Sequence, residues 1–161
     1  MSIGPHAFLN GRLQWFLIDG LSLSICRAHA ITDEEWTHYL EGIMQLTRDQ
    51  AATPWGSVAH FAGAYPSSAQ RRITADFVKK NALPKLHVAL LTDSRTLLGA
   101  LTALAWLVPS MNARAFPPLD IDLALQWLGT VKPFDRALAK ACVEKAWRIL
   151  DASFPEVARA R

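Results

Sequence analysis

The chain has little of what most enzyme classes advertise. Its two cysteines, Cys26 and Cys142, are far apart and match neither a metal nor a redox spacing. They read as reduced thiols, which suits a cytoplasmic protein. No apolar run approaches the ~18 residues that a bilayer span requires. The N-terminus, MSIGPHAFLN, has neither a charged opening nor an adjoining apolar stretch, so no secretory leader is expected. Glycine-rich phosphate loops, a nucleophile elbow, paired carboxylates and zinc spacings are all missing. His6, His29, His38, His60 and His87 are scattered singly. No metal site and no cofactor are therefore expected. Charge is nearly balanced, with 17 basic and 14 acidic residues. That excess is too small for the basic stripe of a nucleic-acid binder.

What is present is a core. Apolar residues make up 51% of the 161 and charged residues 19%, which favours one folded domain over disorder. Residues 13–19 (LQWFLID) form an aromatic-rich apolar run. After Gly20, residues 21–28 (LSLSICRA) alternate: Leu21, Leu23 and Ile25 face one way, Ser22, Ser24 and Cys26 the other. Period two marks a half-buried strand, and the short gap predicts an antiparallel hairpin. In ITDEEWTHYLEGIMQLTRD, Thr32 and Glu35 form a capping-box pair. Trp36, Tyr39, Leu40, Ile43 and Met44 follow at helical spacing.

Alternation then continues. Residues 57–64 (SVAHFAGA) read as a strand, and Ser67 or Ser68 caps the next helix, with Ile73, Phe77 and Val78 inward. Residues 86–92 (LHVALLT) resemble a central strand covered on both faces. Asp93 and Ser94 open a helix, RTLLGALTALAWLV, that is apolar around nearly its whole circumference. ARAF at 113–116 is a short last strand. Asp120 or Asp122 caps a helix that Gly129 stops, and a final helix follows Pro133. The expected fold is α/β: a mixed sheet of about five strands, an N-terminal hairpin and then parallel strands, backed by helices. Residues 1–161 make one domain, with 131–161 as its C-terminal helical extension.

The two-strand opening into ITDEEW, the strand VALLTDS ending in a helix cap, and ARAFPPLDIDLALQWL together resemble the SpoIIAA-like family of small bacterial proteins, which has the STAS-like fold. The resemblance covers roughly residues 13–128. It implies a non-enzymatic regulatory module that binds a protein partner or itself, as anti-sigma-factor antagonists do. In those antagonists a Ser after an Asp at a strand-to-helix turn is phosphorylated, and Asp93-Ser94 is similar to that dipeptide. Here Arg95-Thr96 follow, where the antagonists continue Asp-Ser-Ser-Gly. By topology Ser67-Ser68 occupies the matching junction, without the preceding Asp. The fold of this family also resembles lipid-binding CRAL-TRIO domains.

Two surfaces follow as candidates. Ser67, Ser68, Arg71, Asp93, Ser94 and Arg95 should lie on one strand-to-helix edge, where open α/β sheets place ligands. A phosphate or acidic partner there would meet helix N-termini and guanidinium groups, and Ser94 is the candidate phosphorylation site. Arg72, about 100° from Arg71 on the helix, faces elsewhere. The same serines and Asp93 also serve as ordinary helix caps. The second surface is the apolar helix, with Leu97, Leu101, Leu104 and Trp106. It is covered by the C-terminal helix, forms a subunit interface, or walls a pocket for a lipid or other small molecule. His60, inside a strand, is a packed histidine or a general base without an evident nucleophile.

Overall fold

A computed structural model describes residues 2–27, 30–49, 54–62, 66–81 and 85–155. Among them run β1 (Ser2–Phe8), β2 (Leu13–Ile18), β3 (Leu21–Arg27), α1 (Asp33–Asp49), β4 (Gly56–Ala62), α2 (Ser68–Lys80), β5 (Leu86–Leu91), α3 (Arg95–Leu107), β6 (Met111–Phe116), α4 (Ile121–Gly129) and α5 (Arg136–Ser153). The six strands form one sheet in sequence order. β1–β2 and β2–β3 are antiparallel; β3 to β6 are parallel. The fold is therefore α/β with a mixed sheet.

The hairpin at β2–β3 has its cause in two residues. Asp19 (φ 51°) and Gly20 (φ 80°) both take positive φ. Two such residues make the primed turn whose twist matches the flanking strands. Leu13 pairs with Cys26 and Ile18 with Leu21, so the register is uninterrupted.

Three parallel crossovers advance the same way across the sheet. A right-handed hand at each puts α1, α2 and α3 on one face. Leu13, Trp15, Leu17 and Cys26 pack there against Trp36 and Tyr39 of α1. Ala75 and Val78 of α2 pack against Val108, just beyond α3. The other face carries Phe16, Ile18, Leu21, Leu23, Ile25 and Val58 against α4 and α5. Both faces being covered, every residue of β2 and β3 is buried.

Four expectations are corrected. The sheet has six strands among the described residues, because β1 precedes the hairpin. Gly4 and Pro5 interrupt its period-two pattern, and a register shift lies between Ile3 and His6. β5 is the penultimate strand, not a central one, and its Leu86, His87 and Val88 are only half-buried. β6 starts at Met111, two residues before the expected ARAF. Finally, α5 does not cover α3. It lies on the opposite face against β2 and β3, where Ala139, Val143, Ala146 and Leu150 are fully buried.

Candidate functional site

β4 and β5 are adjacent and parallel, so α2 and α3 begin at the same edge of the sheet. The expected polar residues are there, and most are engaged in finishing helices. Ser67 is the N-cap of α2: its Oγ accepts from the Gln70 backbone N–H at 3.1 Å, and the Gln70 Oε1 accepts from the Ser67 N–H at 3.0 Å. This capping box leaves two orphan donors satisfied. Gln70 Nε2 also donates to the Ile31 carbonyl at 2.6 Å, which ties α2 to the entry of α1. Arg71 folds back on its own helix end, donating to the Pro66 carbonyl at 2.8 Å and to Ser68 Oγ at 2.9 Å.

At α3 the Ser94 N–H donates to Thr92 Oγ1 at 3.0 Å, and Ser94 Oγ accepts from the Leu97 N–H at 3.4 Å. Ser94 is half-buried; Asp93 and Arg95 are exposed. Among the described residues no hydrogen bond or ion pair joins the Ser67–Arg71 group to the Asp93–Arg95 group. The edge thus holds two self-contained helix caps side by side. The charged atoms left facing water are those of Asp93 and Arg95.

The apolar helix departs most from expectation. Leu97 is buried at 4% exposure and Leu101 is half-buried. The Leu104 side chain lies outside the described residues. Trp106 is 84% exposed, with Leu107 at 42% and Leu98 at 38%. With Gly99, Thr102 and Ala103, also exposed, these residues form a stripe along α3 at helical spacing. Trp106 stands out in solvent. Two open clefts of about 300 and 410 Å³ lie between α4 and α5, lined in part by Gln126, Phe134 and Arg136, with no residue of α3.

His60 sits on the face covered by α5, 8% exposed. Its Nδ1 accepts from the Trp147 indole N–H at 2.9 Å. That bond assigns the proton of the neutral ring to Nε2 and occupies the lone pair a general base would use. The T-shaped contact of the two rings, 87° between planes, fixes the geometry. One turn of α5 further on, Asp151 meets Arg27 at 2.7 Å; the Arg27 side chain is 1% exposed and that of Asp151 41%. The sequence carried a signal for this pair. Period two in LSLSICR places Arg27 on the same face as Leu21, Leu23 and Ile25, so its charge had to find a partner across the core.

The face beneath α1 is bridged differently. The Trp15 indole donates to Ser22 Oγ at 2.8 Å, the Tyr39 hydroxyl to Ser24 Oγ at 2.7 Å, and the Trp36 indole to Thr74 Oγ1 at 2.9 Å. Burial raises the Tyr39 pKa and pushes the Cys26 thiol up to about 12, so neither ionises near neutral pH. Among the described residues no three His, Cys, Asp or Glu side chains converge as a metal site, and no helix is long and apolar enough to cross a membrane. No protein-family model matches the chain, and no curated protein matches it.

Proposed function

We propose that this chain is a non-enzymatic, protein-binding module of the STAS-like type, with α3 as its docking element. One observation carries the reading. A tryptophan 84% exposed, continued by Leu98 and Leu107 along one helix, is apolar surface that water does not favour. Tryptophan is also the residue type most enriched at binding hot spots. α5 lies on the other face and does not cover α3, and Trp106 points to solvent. A cytoplasmic regulatory role, without a cofactor and without nucleic acid, accords with the composition and with the resemblance to anti-sigma-factor antagonists.

Ser94 gives the module a place for regulation. At a rise of about 1.5 Å per residue it stands roughly 18 Å along α3 from Trp106. A phosphoryl group on its half-buried hydroxyl would displace the cap bond to Leu97 while gaining from the helix dipole. Arg95 follows it directly in the chain, and Arg71 stands at the start of α2 on the same edge. The test is affinity capture from the native host with wild type, Trp106→Glu and Ser94→Asp. A partner held by wild type and lost by Trp106→Glu, with unchanged melting, supports the module. Partners retained equally by all three variants would sink it.

A further inference from the structure

The sheet has two edges, and they are finished differently. β1 carries Pro5 and Gly4 and shifts register between Ile3 and His6, devices that discourage further pairing. β6, MNARAF, is regular along its whole pairing with β5 and contains no proline. The backbone N–H groups of Leu86 and Thr92 donate to the Ser110 and Phe116 carbonyls, so even-numbered residues of this segment direct their backbone groups toward β5. By strand alternation Ala113 and Ala115 direct theirs to the open side.

Exposed apolar side chains gather on the elements bordering that edge. Leu98, Trp106 and Leu107 lie on α3, which runs directly into β6. Leu119, 80% exposed, follows β6, and Leu123, 51% exposed, lies on α4, which packs on it.

We propose that β6 pairs antiparallel with β6 of a second copy, joining two sheets into one across a two-fold axis at Ala113. The occupant is a second copy because the strand is complementary to itself in that register. Ala113 meets Ala113 of the second copy with N–H and carbonyl both outward, and Met111 meets Ala115, where the Met111 carbonyl accepts from the Ala115 N–H while the Met111 N–H stays with the Val108 carbonyl at 2.9 Å. Arg114, the strand's single charge, falls opposite the second copy's Asn112. Asn112 meets His87 through its amide nitrogen at 3.3 Å, which leaves the amide oxygen for the guanidinium. Sliding the register two residues toward the C-terminus would oppose Arg114 to Arg114, a destabilising like-charge pair. Sliding it the other way shortens the overlap. A centre on Ala113 also places α3 beside α3 and α4 beside α4, so that apolar surface meets apolar surface on both faces of the joined sheet.

The inference rests on reading α3 as a docking element, and the experiment separates the two. Sedimentation velocity over a dilution series should show wild type as a dissociating dimer. Ala113→Pro removes an outward N–H that an edge strand does not need for its own fold. It should weaken self-association by about tenfold or more, with circular dichroism and melting near wild type. In a Cys142→Ala background, Ala113→Cys should cross-link to itself under mild oxidation. A hydrogen-bonded pair sits with Cα atoms about 5.5 Å apart, inside the range a disulfide spans. Ala7→Cys, on β1, should not cross-link. A monomeric wild type, or an Ala113→Cys that fails to cross-link, overturns the edge pairing. If Trp106→Glu abolishes the dimer while Ala113→Pro leaves it intact, α3 docks as proposed and the β6 register is wrong.

Discussion

The two helical layers solve the same problem with different chemistry. The layer of α4 and α5 buries small and branched apolar residues, Ala124, Leu125, Leu128, Ala139, Val143, Ala146 and Leu150, against Leu21, Leu23 and Ile25. Its side-chain polar pairs lie near the far end of α5, at Trp147–His60 and Asp151–Arg27, and at the hairpin turn, where the Trp55 indole donates to the Asp19 carbonyl. The layer of α1 to α3 faces Ser22 and Ser24, and crosses that polar stripe with aromatic donors from Trp15 and Tyr39. It ends at α3, whose outer stripe is left in water. The contrast shows that overall hydrophobicity is a poor guide to burial. α5 is mixed in sequence and buries one face completely, whereas α3 is nearly all apolar and leaves a tryptophan exposed. Position relative to the sheet decides, and α3 stands over its last strands with α2 on one side only.

The sharpest way to break the contrast is a cavity in the apolar layer. Leu150→Ala removes a fully buried side chain from the main core and should cost about 2–5 kcal/mol by denaturant unfolding. A loss within about 0.5 kcal/mol, the value for an uncommitted surface position, would mean that α5 is dispensable to the core.

Next in size is the polar end of the same layer. Asp151→Ala leaves the buried Arg27 guanidinium with one partner fewer, and about 1–2 kcal/mol should be lost. The figure stays below that of a fully buried pair because Asp151 is 41% exposed and water can replace it in part. Arg27→Met in the same background should recover stability, since an apolar side chain of similar length needs no counter-charge. Failure of that rescue would show that Arg27 matters for its other contacts.

On the polar layer the expected effect is smaller. Tyr39→Phe keeps the ring contacts with Phe8 and Trp36 and deletes only the donor to Ser24. About 1 kcal/mol should be lost, and Ser24→Ala combined with it should cost little more, because the orphaned partner is then removed as well. Full additivity of the two substitutions would show that the hydroxyls do not depend on one another.

Local chemistry made much of this fold legible. The Asp19-Gly20 hairpin, the Thr32–Glu35 capping box and the alternation of LSLSICR act over a few residues, and each took the form its residues dictate. β1 was not legible, because Gly4 and Pro5 erase the period that identifies a strand and only pairing with β2 restores it. The partner of α3 was not legible either. Its apolar circumference states that something should cover it, but the face on which α5 lands depends on the whole chain path. At the candidate edge, Ser67, Ser68 and Ser94 were identifiable as cap residues from their positions. The same hydroxyls that would bind a ligand are those that finish the helix, so a cap position by itself marks a helix end and not a site.

The smallest effect concerns the cap of α1 and can be read from pH alone. The Glu35 carboxylate accepts from the Thr32 N–H at 2.9 Å and from Arg12, whose guanidinium also donates to the Leu9 and Ala30 carbonyls. The Thr32 backbone bond, and then the Arg12 charge, hold its pKa below the ordinary 4.5. A depressed carboxylate binds its proton more weakly when folded than when unfolded. Its contribution is therefore fully present above pH 4.5 and disappears as pH falls through the lower folded value. Glu35→Gln can still accept in the capping box but carries no charge for Arg12. Its melting temperature should lie slightly below that of wild type at neutral pH, and the gap should close on acidification past 4.5. Two melting curves that stay parallel through that range would mean that the charge on Glu35 does nothing the amide does not, and that Arg12 joins the first turn to α1 through the carbonyls alone.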